Sequence, residues 1–157
     1  SLLVGDTYAE VCLGHPTTLP MTLEHSLTLT EAVRRGAPNA FLVGDMPYLT
    51  YQVCAEDAIR NAGRYMARAG CDCIKVEVDR RLAPVVEAMA AATIPVMAHL
   101  GLKPQSIQSV GGYKVQGKSA ADARTLIEDA RMLEAAGAVP RVMARQLTPV
   151  STHRELF

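Results

Sequence analysis

The chain has 157 residues, of which 49% are hydrophobic, and its 16 basic residues balance its 16 acidic residues. This length and apolar content suit one domain with its own core, and the neutral charge excludes electrostatic attraction to nucleic acid or an anionic membrane as the expected mode of binding. With no membrane-length apolar run, no visible signal peptide and four cysteines in an ordinary composition, we expect a cytoplasmic domain with buried, reduced thiols.

Apolar runs and amphipathic stretches alternate along most of the chain. The apolar runs predict strands over residues 1–5, 40–44, 73–78 and 94–98. Caps and helical periodicity predict helices that follow Thr22, run from Ala55 to Ala69, start near Leu82 and follow Ser119. Residues 7–21 contain several breakers and are predicted to be irregular.

This rhythm predicts right-handed β–α–β units around a parallel sheet. Two ways of closing the sheet fit the pattern, an open doubly wound sheet and a (β/α)8 barrel. No glycine-rich phosphate loop follows the first strand, which weakens the dinucleotide-binding version of the open sheet. Polar residues at the carboxyl ends of successive predicted strands fit the active face of a barrel.

The stretch from His99 to Lys118 is dense in glycine and proline, with Gly101, Pro104 and Gly111–Gly112. We therefore predict a long structured loop here rather than the interior of a helix or strand. Loops of about twenty residues without regular structure are uncommon in compact domains and are often functional.

The alternation breaks after Gly137. A strand is due there, yet Pro140 follows almost at once, and residues 141–147 are predicted to form another helix. A complete barrel typically needs ~250 residues. We therefore predict one incomplete barrel domain over residues 1–157. We expect a missing segment at each of two places, one near residues 138–140 and one near residues 150–153.

Three acidic residues, Asp6, Asp45 and Glu77, lie at or near the ends of predicted strands. In a parallel barrel these ends converge on one face, where three carboxylates repel one another unless a cation neutralises them. Oxygen-only ligands favour a hard ion, with Mg2+ the default. Each aspartate alone also has a simpler interpretation, because aspartate after a strand is a common helix cap or turn former.

Lys75 and Glu77 are two residues apart on the third predicted strand, so both side chains point the same way. Burying both inside a barrel is unfavourable without a partner or a function, although a structural ion pair would explain them by themselves. A lone His99 at the next strand end is more often a hydrogen-bonded structural residue than a catalyst. Together with the two aspartates, these residues predict one functional site.

Short motifs occur in a fixed order along residues 1–138. They are Leu3–Asp6, Thr18–Thr22, Ala32–Pro38, Gly44–Tyr48, Arg60–Arg64, Lys75–Glu77, His99–Leu102, Pro104–Ser106 and Gly111–Lys118. In this order the motifs resemble those of the ketopantoate hydroxymethyltransferase (3-methyl-2-oxobutanoate hydroxymethyltransferase) family. The last of them, with the sequence GGYKVQGK, is the most specific.

The resemblance implies a (β/α)8 TIM barrel of the phosphoenolpyruvate-mutase type that assembles as a homo-oligomer, usually a decamer. It implies transfer of a hydroxymethyl group from 5,10-methylenetetrahydrofolate, the co-substrate, to 3-methyl-2-oxobutanoate. The product is 2-dehydropantoate (ketopantoate), formed through a Mg2+-stabilised enolate in pantothenate biosynthesis. The implied cofactor is Mg2+ or another divalent metal.

Position by position, the resemblance implies that Asp6 and Asp45 bind the metal and that Glu77 binds it directly or through water. Lys75 and His99 are implied to be the catalytic contacts to the keto acid. Thr7 stands where the family usually has a serine that hydrogen-bonds the keto-acid carboxylate. The substrate-binding residues implied in this way are Asp6, Thr7, Asp45, Lys75 and His99.

The chain departs from the family pattern at two places. Where the family usually continues Gly-Asp-Ser-Leu-Gly-Met, this chain has Gly-Asp-Thr-Tyr-Ala-Glu over residues 5–10, which alters the local substrate pocket. The family's general base is a glutamate just before a Val-Pro pair, whereas here Val139-Pro140 follows Ala138 directly and the glutamate is absent. We expect a dead or very slow enzyme if these residues are the whole molecule, and a base in a missing segment otherwise.

Two other functions stay open. A Mg2+-dependent lyase or mutase of the same superfamily, acting on a small 2-oxo acid, would use the same carboxylates without folate. A catalytically silent barrel subunit would bind the metal without turnover. The motif over residues 111–118 favours the transferase, and turnover that requires methylenetetrahydrofolate would separate the three.

Overall fold

The computed structural model describes residues 1–106 and 119–139, together with the backbone of residues 143–145. All of the described strands are parallel and form one five-stranded sheet. They are β1 (Leu2–Val4), β2 (Leu42–Asp45), β3 (Cys73–Glu77), β4 (Val96–Gly101) and β5 (Met143–Arg145). Their order across the sheet follows their order in the chain. A doubly wound sheet reverses its strand order, so the described strands exclude that alternative and have the order of a (β/α)8 barrel.

Helices connect successive strands and pack against the sheet. They are α1 (Tyr8–Val11), α2 (Leu23–Gly36), α3 (Ala55–Ala69), α4 (Ala83–Ala91) and α5 (Ala120–Ala135), with 3-10 turns over Arg80–Leu82 and Pro104–Ser106. The four helices predicted before Gly137 are all present. The prediction that residues 7–21 are irregular is wrong at α1, a single turn too short for helical periodicity to reveal. In the part of the chain that is described, no helix is both long and apolar enough to cross a membrane.

Local sequence signals explain where these helices begin and end. The Thr22 side chain accepts a hydrogen bond from the backbone N–H of His25 at 3.2 Å and so caps α2. Ser119 and Asp122 form a reciprocal capping box at the start of α5. After α3 the chain turns at Gly70 with a φ of 62°, a left-handed conformation that favours glycine.

β4 is longer than predicted, and the predicted loop begins later. The strand continues through His99 to Gly101 and is followed by the 3-10 turn over Pro104–Ser106. His99 therefore lies on a strand rather than in a loop, because its backbone pairs with β3 on one side and β5 on the other. The rest of the predicted loop, residues 107–118, lies outside the described residues.

The helix predicted over residues 141–147 is wrong, because β5 lies within that range. β5 pairs in parallel with β4 and places Met143 opposite His99. This pairing satisfies backbone N–H and C=O groups at the edge of β4, which a helix at this position would leave unpaired. The missing segments predicted near 138–140 and 150–153 involve residues outside the described part, and they stay a prediction.

The two faces of the sheet bury different side chains, because successive residues of a strand point to opposite faces. The outer face, which packs on the helices, is apolar and includes Leu42, Ile74, Val76, Val96, Ala98 and Leu100, each at most 3% exposed. On the inner face, Val43, Cys73 and Met97 form a small cluster with Val139 near the amino ends of the strands. Towards the carboxyl ends the inner face changes from apolar to ionisable.

All four cysteines are free. Cys71 and Cys73 are buried, as predicted, and burial raises the pKa of the Cys71 thiol to about 12. The prediction of buried thiols is wrong for Cys12, which is exposed, and for Cys54, which is partly exposed. Both lie at helix ends, where the chain turns at the surface.

Candidate active site

The five ionisable residues predicted at strand ends do converge in the structure. Asp6 follows β1, Asp45 ends β2, Lys75 and Glu77 lie on β3, and His99 lies on β4. The register sets Asp45 beside Lys75 and Glu77 beside His99. Each of the five residues is at most 5% exposed. Their ionisable groups therefore share one buried volume at the carboxyl ends of the strands, which we call the carboxyl-end cluster.

Lys75 supplies positive charge to this cluster. Its Nζ lies 2.7 Å from Oδ1 of Asp45 and 3.8 Å from Oε1 of Glu77. Burial lowers the pKa of Lys75, but the two carboxylates together outweigh burial and raise the pKa above its ordinary value. Lys75 therefore stays protonated, and its charge offsets only part of the negative charge of the neighbouring carboxylates.

The positive charge of Lys75 does not fully offset the effect of burial on the two aspartates of the cluster. Burial raises the pKa of Asp45 to about 6, although Lys75 opposes the shift. Burial also raises the pKa of Asp6. The backbone N–H of Asp6 donates to Oδ2 of Asp45 at 3.3 Å, which holds the two residues side by side. Two neighbouring carboxylates that ionise reluctantly form a site where an added cation would be bound favourably.

Glu77 and His99 present polar atoms that have no hydrogen-bond partner among the described residues. These atoms are Oε1 of Glu77 and both ring nitrogens of His99. Nδ1 of His99 lies 3.5 Å from Oε1 of Glu77. Leaving buried polar atoms unpaired is unfavourable, so these atoms are suited to meet a ligand.

Two further residues complete the cluster, and neither was predicted from the sequence. Nε2 of Gln105 donates to Oδ2 of Asp6 at 2.9 Å, and the backbone N–H of Gln105 donates to Oε2 of Glu77 at 3.0 Å. The hydroxyl of Tyr51 donates to Oε1 of Gln105 at 2.8 Å. Gln105 belongs to one of the motifs that carry the family resemblance, which is the signal that could have identified it. Tyr51, a loop tyrosine, gives no such signal.

The backbone of Asp45 is held from the outer face of the sheet. Oγ of Ser26, on α2, donates to the carbonyl oxygen of Asp45 at 3.3 Å, and the hydroxyl of Tyr65, on α3, donates to Oγ of Ser26 at 2.7 Å. Tyr65 lies against Gly44, where a Cβ atom would be 2.6 Å from Cδ1 of the ring. The glycine before Asp45 therefore allows the close approach of the residues that fix Asp45.

Thr7 does not share the burial of the other predicted site residues. It is exposed and lies directly after Asp6, at the start of α1. This helix is formed by the segment whose sequence departs from the family pattern. The predicted hydrogen bond from Thr7 to a keto acid stays a prediction.

The donor atoms of the cluster fit a hard divalent cation, because they are carboxylate oxygens. Within the described residues, however, no three His, Cys, Asp or Glu side chains are grouped so as to hold a metal ion by themselves. The Lys75 ammonium group lies against both Asp45 and Glu77. The residues therefore fit a site with two carboxylates, from Asp6 and Asp45, and with other positions open to water and substrate, as is usual for Mg2+.

Two cavities lie at opposite ends of the sheet. One, of about 320 Å³, reaches the carboxyl-end cluster and is lined by Glu77 and Gln105 together with residues such as Arg81 and Lys103. The other, of about 750 Å³, lies at the amino ends of the strands and is lined by residues such as Met97. Of these two cavities, the smaller is the one lined by a residue of the carboxyl-end cluster, Glu77.

Comparisons with known proteins place this arrangement in a family. Residues 1–153 match the family model described as ketopantoate hydroxymethyltransferase. The chain is 50% identical over 142 residues to the 3-methyl-2-oxobutanoate hydroxymethyltransferase of Geobacillus sp. (strain WCH70), covering 90% of this chain and 51% of that protein. It is 47% identical over 154 residues to the protein of the same name from Syntrophus aciditrophicus (strain SB), covering 94% and 57%. The chain thus spans about half the length of the curated relatives it matches.

Solved structures confirm the predicted fold class. A 2,3-dimethylmalate lyase of the PEP mutase/isocitrate lyase superfamily matches with a TM-score of 0.59 and 20% identity, covering 84% of this chain and 44% of that one. An oxaloacetate acetylhydrolase matches with a TM-score of 0.58 and 20% identity, covering 87% and 48%. At this identity the likeness concerns the fold alone. The described strands and helices have the fold of part of a (β/α)8 barrel.

Proposed function

The chain belongs to the ketopantoate hydroxymethyltransferase family, and we propose that it carries the metal- and keto-acid-binding residues of an enzyme that makes 2-dehydropantoate. The reaction is transfer of a hydroxymethyl group from 5,10-methylenetetrahydrofolate to 3-methyl-2-oxobutanoate. The observation that supports this proposal is the buried convergence of Asp6, Asp45, Lys75, Glu77 and His99 at the carboxyl ends of four parallel strands.

The proposal assigns the metal to the two aspartates. Asp6 and Asp45 would hold a divalent cation, with Glu77 bound to it directly or through water. When bound, Mg2+ would neutralise the aspartates and act as a Lewis acid on the 2-oxo acid. The raised pKa values of both aspartates support this assignment, because burial disfavours their charged forms and a bound cation would offset that cost.

The remaining residues of the cluster would bind and orient the keto acid. Lys75 stays protonated and places a positive charge where negative charge develops as the C3 proton leaves. The unpaired ring nitrogens of His99 offer hydrogen bonds to the substrate within a buried volume. The Thr7 hydroxyl would donate to the carboxylate of the keto acid. Burial of these groups strengthens each electrostatic contact, because little water screens it.

The proposed reaction also needs a general base. The resemblance places this glutamate before a Val-Pro pair, and Ala138 stands in that position here. Ala138 and Val139 follow α5 after only two residues, Ala136 and Gly137. We therefore expect slow turnover unless a carboxylate from outside the described residues serves as the base. Assembly as a homodecamer stays a prediction.

The direct test is product formation by the purified protein. The protein would be incubated at high concentration with 3-methyl-2-oxobutanoate, methylenetetrahydrofolate and Mg2+, beside an Asp45→Ala control, and 2-dehydropantoate would be measured by NMR. We expect product from the wild type and none from the control. Consumption of a 2-oxo acid without folate would instead support the lyase or mutase, and metal and keto-acid binding without turnover would support the silent subunit.

A further inference from the structure

Gln105 connects groups carried by three different strands. It lies in the 3-10 turn after β4 and is 4% exposed. Its Nε2 donates to Oδ2 of Asp6 at 2.9 Å and to the carbonyl oxygen of Met46 at 2.8 Å. Its backbone N–H donates to Oε2 of Glu77 at 3.0 Å. One residue therefore holds both a carboxylate that follows β1 and a carboxylate on β3.

The orientation of the Gln105 amide follows from the chemistry of its neighbours. Both partners of its NH2 group, a carboxylate and a carbonyl, can only accept hydrogen bonds, so the donor end must face them. Its Oε1 accepts from the hydroxyl of Tyr51 at 2.8 Å and from Nε2 of Gln52 at 3.0 Å. A reversed amide would set an acceptor oxygen against the Asp6 carboxylate and the Met46 carbonyl oxygen, and a donor against Nε2 of Gln52.

Tyr51 locks this orientation. Its hydroxyl accepts a hydrogen bond from the backbone N–H of Glu77 at 2.9 Å, which leaves its single proton for an acceptor. Oε1 of Gln105, at 2.8 Å, is closer than the Glu77 carbonyl oxygen, at 3.1 Å. Burial raises the pKa of Tyr51 well above its ordinary value, so the hydroxyl keeps its proton.

We propose that Gln105, with its amide oriented by Tyr51, is a positioning residue that fixes the Asp6 and Glu77 carboxylates for metal and substrate binding. The inference rests on the proposed function and extends it to a residue to which the family resemblance assigns no role. Gln105 acts through the two carboxylates rather than on a reacting atom. Partners of this kind, which orient metal ligands, typically change metal affinity or activity by about tenfold to a hundredfold when removed.

A purely structural role for Gln105 makes a different prediction. Removing a buried, fully hydrogen-bonded amide lowers stability in either case. Only a positioning role also weakens cation binding in protein that is still folded. The test must therefore read cation affinity and folding separately.

The test measures Mn2+ affinity by electron paramagnetic resonance in the wild type and in Gln105→Met, which keeps the length of the side chain and the backbone N–H. Thr30→Val is the matched control, because it removes one buried hydrogen bond, to the Ser26 carbonyl oxygen, from a side chain outside the cluster. For each protein, thermal unfolding and the steady-state kcat and KM for 3-methyl-2-oxobutanoate are measured as well.

We expect Gln105→Met to weaken Mn2+ binding by about tenfold or more below its unfolding temperature, with a higher KM, and Thr30→Val to bind Mn2+ like the wild type. If Gln105→Met does not fold, Tyr51→Phe carries the test, with a loss of affinity of about threefold to tenfold expected because the amide is no longer held.

The inference would be overturned if folded Gln105→Met bound Mn2+ with an affinity within twofold of the wild type. If Gln105→Met does not fold, the same result in Tyr51→Phe would overturn it. An equal loss in Thr30→Val would do the same, because it would reveal general destabilisation. Wild-type protein that binds no Mn2+ would overturn the proposed function itself, and the inference with it.

Discussion

The polar groups at the two ends of the sheet differ in how far the protein itself satisfies them. At the amino end, the Arg34 guanidinium donates to the carbonyl oxygens of Pro38, Ala40 and Gly70 and to the carboxylate of Asp72. The same carboxylate accepts the backbone N–H of Leu42 at the start of β2. The Leu42 N–H and Arg34 together hold the pKa of Asp72 below its ordinary value.

At the carboxyl end, the effect of burial on the carboxyl groups is larger than the opposing effect of the Lys75 charge. The pKa values of Asp6 and Asp45 are raised, and polar atoms of Glu77 and His99 lack hydrogen-bond partners among the described residues. Polar groups that are satisfied by the protein itself stabilise the fold, whereas groups left in need of a partner are suited to bind one. The comparison supports a stabilising role for the amino end and the proposed chemical role for the carboxyl end, the division found in other barrels.

Removing Lys75 should have the largest effect. Lys75→Met leaves the buried Asp45 and Glu77 carboxylates without their cation, so we expect the free energy of unfolding to fall by about 3–5 kcal/mol and product formation by about a hundredfold or more. Urea denaturation without Mg2+ and steady-state assays would measure the two effects. A variant with wild-type activity would contradict the functional assignment of the carboxyl end.

A side chain at Gly44 tests the packing of Tyr65, which with Ser26 holds the backbone of Asp45. A Cβ there would be 2.6 Å from Cδ1 of Tyr65 and 3.0 Å from Sγ of Cys71, so Gly44→Ala should lower the free energy of unfolding by about 1–3 kcal/mol. Gly63→Ala is the matched control, because that helical position has nothing within 4 Å of the added Cβ, and it should stabilise by about 0.5–1 kcal/mol. Thermal unfolding of both variants checks the prediction, which equal shifts would contradict.

Arg34→Met should affect stability alone. The Arg34 side chain is 22% exposed, so loss of its hydrogen bonds should cost about 1–2 kcal/mol of unfolding free energy, and the affinity for Mg2+ should not change. The neighbouring exposed Arg35 provides the control variant Arg35→Met, with a change within about 0.5 kcal/mol. A loss of Mg2+ binding in Arg34→Met would show that the two ends are not separate.

Acid should slightly reduce the contribution of Asp72, at the amino end of the sheet, to the free energy of unfolding. Because the pKa of Asp72 is lower folded than unfolded, its contribution is complete above the unfolded value of about 4 and is lost as the pH falls through the folded value. The wild type should exceed Asp72→Asn in unfolding free energy by less than about 1 kcal/mol at pH 6, since the pair is partly exposed. Urea denaturation from pH 6 to pH 3 should show this difference shrink towards zero, and a constant difference would contradict the assignment.

The sequence was sufficient to predict the residues that converge at the carboxyl ends of the strands, although β4 runs to Gly101 rather than to Ala98. Asp45, Lys75, Glu77 and His99 lie on short, buried strands whose apolar runs are visible in the sequence, and parallel strands bring such ends together. The helix caps at Thr22 and Ser119 are equally local signals, and both were predicted correctly.

The contacts that complete the site could not be predicted, because they join distant loops. Gln105 and Asp6 are 99 residues apart in the chain, and Tyr51 and Gln105 are 54 residues apart. No local period or cap encodes such a pair. β5 was missed for a related reason, since it is defined by pairing with β4 rather than by its own sequence pattern.

The most direct test of the central claim is calorimetric titration of 3-methyl-2-oxobutanoate into the protein with and without Mg2+. We expect binding only when Mg2+ is present, loss of this binding in Asp45→Ala, and its retention in Arg34→Met. Binding that does not depend on Mg2+, or that survives in Asp45→Ala as well as in the wild type, would contradict the assignment of function to the carboxyl end of the sheet.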